Sequence, residues 1–439
     1  MHNKKTLSCK YIHHSVYLAP DELRHCCKRF YVNGKMKGDV KIFPVKNTSD
    51  INSKRILKAK KKLYDEINKN KKTPCSGCPY LFKDHWPNFN KLEVKHISIE
   101  SHSVCNMKCT YCSDTYYGGK KSNYNLHSVL KEMNKSKSLS KKIDISWGGG
   151  EPLLLDNFDQ TFEFVTENLK PASTMVYTNA TKYSKTLEKY LINGKIKITT
   201  SIDAGTLKTF KKIRGVKIFK KVLQNLEKYF FKANKGIIIK YILTKENFQE
   251  AELKAFLNKM KEYNLGRCEF QISSDFTNEK LSKKQVLSAL NLYFSLKKLG
   301  TKNCFFDYHL RPRVQQVIKK FIVNNDYEFK KFITNNRFNH IKFEKIKKII
   351  IWGAGDTGRN IINDSYILKK YNIKIDFFVD KDTGLQNKKI NNINILKPSL
   401  VLNSNSQIII ASTNFYEEIK KNLISMGVKD KRVLDGIYF

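Results

Sequence analysis

Residues 96–112 read HISIESHSVCNMKCTYC. Ile97 and Ile99 alternate with polar neighbours, the period of a strand, and the run breaks into a loop carrying Cys105, Cys109 and Cys112 in CxxxCxxC spacing. Soft metals bound through thiolates usually take four ligands. Three cysteines on one loop therefore leave a fourth position, filled from elsewhere in the chain or reserved for something that is not protein.

The same alternation recurs downstream. After HISIE come IDISW, TMVYT, IKITTSI, IIIKYIL and CEFQI, each separated from the next by a segment of helical period such as FDQTFEFVTENL or EAELKAFLNKMKEY. Strands rich in Ile and Val that alternate with amphipathic helices predict a parallel sheet with crossover helices, with the chemistry at the carboxyl ends of the strands. The fold class is therefore α/β: a partial (βα)6 barrel over residues 91–278, a small cysteine-rich module over 1–90, a helical connector over 279–345, and a second α/β domain over 346–439 that opens with KIIIWGAGDTGRNII.

Lys and Arg number 82 against 40 Asp and Glu, a net +42, in a chain that is 41% hydrophobic. That excess suits an anionic substrate or nucleic acid, but lysine is spread along the whole length, and the reading favours a small anionic molecule or a peptide over nucleic acid. The densest basic run, Lys54 to Leu63 (KRILKAKKKL), has the period of a helix with one solvated face. The apolar runs are too short to span a membrane, so no membrane span and a cytoplasmic location are expected. In a reducing compartment the ten cysteines read first as metal or redox ligands, with the isolated Cys268 and Cys304 as small buried hydrophobes.

The cysteine loop resembles the CxxxCxΦC loop of radical S-adenosylmethionine (SAM) enzymes, with Tyr111 as the aromatic Φ. The resemblance implies that Cys105, Cys109 and Cys112 hold a [4Fe–4S] cluster whose fourth iron binds S-adenosylmethionine, so that one electron yields a 5′-deoxyadenosyl radical able to abstract hydrogen. Further motifs fall at successive strand ends. SWGGGEPLL resembles the GGE motif, in which Gly149, Gly150 and Glu151 would meet the methionine ammonium. YTNA stands where the family often has TNG, with Thr178 and Asn179 as lining residues and Ala180 in place of the glycine. TSIDAG resembles the ribose-contacting segment, offering Ser201 and Asp203, and KKIRG offers Arg214 as a clamp on the cosubstrate carboxylate.

The amino-terminal run CKYIHHSVYLAPDELRHCC followed by TPCSGCPYL resembles the auxiliary-cluster modules called SPASM or twitch domains. By that match Cys9, Cys26, Cys75 and Cys78 would ligate a second iron–sulfur cluster, with Cys27 either a neighbour or the ligand in place of Cys26. Zinc is the competing metal, with His13, His14 or His25 as a nitrogen donor.

In the last domain Gly353, Gly355 and Gly358 have GxGxxG spacing between a strand and a helix, and Asp380 ends the next strand. This is the context of a Rossmann nucleotide site, and the domain resembles small Rossmann-like units of surface-glycan and nucleotide-sugar enzymes. The alternative is a tight strand–helix turn that binds a partner or nothing. The leading expectation is a radical SAM enzyme acting on a sugar, nucleotide-sugar or peptide, reduced by flavodoxin or ferredoxin. A nucleic-acid-modifying radical SAM enzyme and a non-catalytic metal- or nucleotide-binding scaffold are the alternatives.

Overall fold

The computed structural model describes residues 5–112, 118–275, 280–301, 303–323, 343–412 and 416–434. The chain divides into two compact units, residues 1–270 with 275–279, and residues 271–274 with 280–439.

The first unit begins with short strands: β1 (Thr6–Ser8), β2 (Ser15–Leu18), β3 (Glu22–Arg24), β4 (Arg29–Val32), β5 (Lys35–Gly38), β6 (Lys41–Pro44) and β7 (Phe82–Asp84). The strands expected from their Ile and Val content follow as β8 (Val94–Ile99), β9 (Leu139–Trp147), β10 (Ser173–Tyr177), β11 (Lys197–Ser201), β12 (Ile237–Leu243) and β13 (Glu269–Ser274), the last four residues of β13 being counted with the second unit. From β8 to β12 neighbours pair in parallel and in sequence order; helices Leu126–Lys135, Phe158–Phe164, Lys185–Ile192 and Phe219–Ala233 lie between them along the chain, and Glu250–Glu262 follows β12. Such a sheet is covered on both faces, which is why β12 (IIIKYIL) is buried at all but Lys240.

The cysteine-rich segment is continuous with this sheet. β2 pairs in parallel with β8, Val16 beside Ile97, and β3 and β6 extend the same edge antiparallel. Every residue of β2 is buried, so SVYL is an interior strand rather than part of a free-standing knot. The lysine-rich helix forms at Ser53–Asn68, with the Asn52 side chain accepting from Arg55 N. Its buried stripe is Ile56, Lys60, Leu63 and Ile67, so the basic run is not a solvated face throughout.

In the second unit, helices Lys283–Lys298 and Leu310–Val323 take the place expected of the helical connector, but β14 (Asn303–Phe306) stands between them. The expected connector's residues 324–342 lie outside the described residues. Cys304, which sits in β14, and Cys268 are both buried. The carboxyl-terminal strands are β15 (Lys348–Trp352), β16 (Lys374–Val379), β17 (Lys389–Ile390), β18 (Ile393–Leu396), β19 (Gln407–Ile410) and β20 (Val433–Leu434). They form a six-stranded sheet in the order β17-β18-β16-β15-β19-β20, with β17 alone antiparallel to its neighbour. The order reverses at β15, so the glycine turn that follows β15 sits at the topological switch point.

Candidate active site

The segment from His102 through Cys112 is tied down by main-chain hydrogen bonds on two sides. On one side Gly150 N donates to His102 O at 3.0 Å and Glu151 N to Val104 O at 2.8 Å. Those contacts need glycine. A Cβ on Gly150 would stand 2.0 Å from Val104 O, and one on Gly149, whose φ is +88°, would stand 2.6 Å from His102 O. On the other side Thr110 N donates to Ile213 O (2.9 Å) and Lys108 N to Arg214 O (3.3 Å), at the end of helix Leu207–Arg214. Gly215, at φ +78°, closes that helix against Lys108.

The three sulfurs lie within electrostatic reach of one another: Cys105 acts on Cys109, and both act on Cys112. Burial pushes all three thiols up, Cys112 to about 12, and the Arg214 guanidinium opposes the rise in each. Three half-buried thiols that resist ionisation, beside a buried cation, are a donor set that a metal cluster would deprotonate. Asn179 Nδ2 also points to Cys105 Sγ at 3.8 Å.

Arg214 is 6% exposed and Asp203 fully buried, so neither is a surface charge. Asp203 Oδ2 accepts from the Tyr111 hydroxyl at 2.5 Å and from Arg214 at 3.3 Å, while Arg214 also donates to the Tyr111 oxygen. Asp203 Oδ1 accepts from Ile242 N at 2.7 Å. Tyr111 thus bridges the cysteine loop to an ion pair spanning the ends of β11 and helix Leu207–Arg214. Burial pushes the Asp203 carboxyl up, and the adjacent guanidinium offsets this. Asn247 belongs to the same group without having been foreseen: fully buried, it donates to Asp203 O (2.9 Å) and Ile242 O (2.8 Å). No pattern around Asn247 in the sequence marks it.

Glu151 is buried, and its carboxylate accepts from the Thr178 hydroxyl (2.7 Å), Asn179 N (2.6 Å) and Leu153 N (3.3 Å). The GGE segment and the end of β10 are therefore locked together. Asn179 Nδ2 donates to Asn106 Oδ1 at 2.7 Å, joining β10 to the cysteine loop. Ala180 holds φ +55°, the left-handed region that suits glycine, and is buried. Ser201 ends β11, half-buried.

The amino-terminal cysteines assemble as a second group. Cys9 and Cys75 are core residues of one apolar cluster with Ile12, Val40, Leu63 and Ile67, and Cys26 and Cys78 pack against it. Cys75 feels Cys26, Cys9 and Cys78, and Cys78 feels Cys9 and Cys26. Burial pushes all four thiols up, Cys78 to about 11. Cys27 is not among the residues of that cluster. Its thiol, pushed up to about 12 by burial, feels Glu100 at the end of β8 first among charged groups. The structure thus groups Cys26 rather than Cys27 with Cys9, Cys75 and Cys78. His13 bonds Ser8 Oγ at 3.0 Å and stacks on Phe89, and His14 bonds Glu93 O at 3.1 Å, while the buried His25 Nδ1 has no hydrogen-bond partner. Among the described residues no group of three or more His, Cys, Asp or Glu side chains is gathered as around a single metal ion.

In the second unit the glycine turn is shaped from within. A Cβ on Gly358 would stand 2.0 Å from Gly353 O, and Gly353 itself has φ +112°. Nothing crowds Gly355. Asp380 accepts from Ala354 N (2.8 Å) and Asp382 N (2.9 Å), so its carboxylate braces the turn that it was expected to complement.

Comparison with known proteins gives two family matches: the radical SAM superfamily over residues 99–257, and the family described as C2185-like, N-terminal, over residues 345–434. GTP 3′,8-cyclase of Vibrio atlanticus is 26% identical over 170 residues, 38% of this chain and 51% of its own length. The same enzyme of Clostridium botulinum is 25% identical over 173 residues, 39% and 54% of the two chains. The chain spans about half the length of the curated relatives it matches. Among solved structures, anSMEcpe with bound AdoMet and the Cp18Cys peptide is 19% identical at TM-score 0.37, covering 47% of this chain and 62% of that one. Streptococcus suis SuiB bound to S-adenosylmethionine is 16% identical at the same TM-score, covering 59% and 57%. Among the described residues no helix is long and apolar enough to cross a membrane. Members of the matched superfamily use a [4Fe–4S] cluster and S-adenosylmethionine, and the cysteine trio, with its buried cation and glycine clamp, lies inside the matched residues; this chain carries a radical SAM domain over residues 99–257.

Proposed function

We propose that the chain reductively cleaves S-adenosylmethionine and abstracts hydrogen from an anionic small molecule, with a second iron–sulfur centre near the substrate. When bound at Cys105, Cys109 and Cys112, the cluster and cosubstrate supply the one-electron chemistry that breaks a sulfonium carbon–sulfur bond and removes hydrogen from carbon. The chain's own residues do the rest. Gly149 and Gly150 bring main chain against the cysteine loop, and Glu151 fixes the end of β10 beside it. Tyr111, Asp203 and Arg214 hold the loop from the other side and keep a positive charge next to the thiolates. The observation carrying this reading is that double clamp: the GGE segment and the KKIRG segment hold the two ends of the cysteine loop through main-chain hydrogen bonds.

Cys9, Cys26, Cys75 and Cys78 form the auxiliary site in this reading, and four thiolates would close it to substrate and suit it to electron transfer. The residues from β8 through β13 act as a partial (βα)6 barrel. A nucleotide or nucleotide-sugar is the favoured substrate class: the curated relatives act on GTP by name, the chain carries +42, and the carboxyl-terminal glycine turn leads into the start of helix Asp356–Asp364 with Gly355 uncrowded. A flavodoxin or ferredoxin is the expected electron source.

The test is anaerobic purification of wild type and Cys109→Ala with iron and sulfide analysis, then a dithionite assay for 5′-deoxyadenosine. Wild type should hold two clusters and release that product; the variant should hold one cluster and release none. A cluster-replete wild type that leaves S-adenosylmethionine intact would refute the proposal.

A further inference from the structure

Lys60 lies on the helix whose lysines were expected in solvent, yet it is fully buried. Its Nζ donates to the main-chain oxygens of Ser15 (2.6 Å), Ile12 (2.9 Å) and Tyr11 (3.4 Å), which belong to or directly follow the short helix Lys10–His14. Carbonyl dipoles at a helix end favour a cation but do not neutralise it. A buried ammonium without a counter-charge costs several kcal/mol and is normally paired. Cys9 stands at the start of that short helix and shares an apolar cluster with Ile12, whose oxygen accepts from Lys60. Burial pulls the Lys60 ammonium down to about 7, and the groups that oppose this are Cys9 and Cys26, with no carboxylate joining them. The nearby His13, His14 and His25 each feel Lys60 and are held toward the neutral form by burial.

A cation in that position is matched only when the cysteines are thiolates. Free thiols in the same place would leave the ammonium unpaired in a dry interior. Building on the auxiliary-centre reading above, we propose that Lys60 is the buried counter-charge of a four-thiolate centre at Cys9, Cys26, Cys75 and Cys78, and that its positive charge makes this centre easier to reduce. A cation beside a cluster favours the state carrying one more electron, and in a dry interior the effect is weakly screened.

The experiment uses the full chain in the Cys109→Ala background, where the amino-terminal centre is the one left to titrate. Lys60→Met, Lys60→Gln and Lys60→Arg are compared by EPR-monitored redox titration. Lys60→Met should make one-electron reduction at least tenfold harder, a fall of about 59 mV for a one-electron couple. Lys60→Gln, which keeps a donor for the carbonyls without charge, should show the same fall, and Lys60→Arg should restore the potential. Should Lys60→Met fail to fold, the contrast between Lys60→Gln and Lys60→Arg carries the test. If the centre is loaded with zinc, the readout is the pH at which a chelator strips half the metal, which should rise in the neutral variants because unpaired thiolates take protons more readily. Metal-loaded neutral variants with wild-type potential or release pH would overturn the role of Lys60 alone. A Cys109→Ala protein holding no metal would instead overturn the centre itself, and this inference with it.

Discussion

At the scale of single residues, buried charge dominates. Tyr111, Asp203 and Arg214 were legible as isolated motif letters, but their meeting is not encoded by spacing: Tyr111 is 92 residues from Asp203, and only the fold closes that gap. Glu100 was invisible in the sequence. It closes β8 and accepts from the Tyr17 hydroxyl and from Ser98 Oγ (3.4 Å), and burial lifts its carboxyl to about 7. An unfolded glutamate ionises near 4.3, so between roughly pH 4.5 and 7 the folded state binds the extra proton and stability falls as pH rises, levelling off above. Glu100→Gln removes this penalty while keeping an acceptor for Tyr17. Urea unfolding of the two proteins should agree near pH 4 and diverge in favour of the variant by at most about 3 kcal/mol at pH 8.

At the scale of elements, the sequence shows strands and helices by their periods, and the structure has them: IDISW, TMVYT and IIIKYIL all lie in strands of the parallel run, and FDQTFEFVTENL is helical. β14 escaped because NCFF is four residues long and flanked by strongly helical segments, too short for period to speak. The glycines of the GGE segment bring its main chain against His102 and Val104, just ahead of Cys105. Gly150→Ala puts a methyl 2.0 Å from Val104 O, and the backbone oxygen cannot yield without displacing Cys105 beside it. The expected result is a folded protein that reconstitutes with at least tenfold less cluster at the central site, measured as iron per chain in the Cys9→Ala background, with the circular dichroism spectrum retained. Full reconstitution would mean that the loop tolerates the shift.

At the scale of the whole molecule, the first unit stands on one sheet whose parallel run is lengthened by strands from the cysteine-rich segment. Deleting residues 1–90 would therefore unpair the β8 edge rather than trim an appendage. Size-exclusion chromatography of that truncation should show aggregate where the full chain elutes discretely, and a well-behaved truncated protein would refute this. The sequence by itself determined the alternation of strands and helices, the cysteine trio and the glycine turns, because these depend on period and on short-range spacing. Tertiary structure alone decided which charges are buried together, that Cys26 and not Cys27 joins the amino-terminal group, and that Lys60 points inward. Those outcomes depend on contacts between residues tens of positions apart, where one hydrophobic stripe on a helix, once docked, carries a lysine into the interior with it.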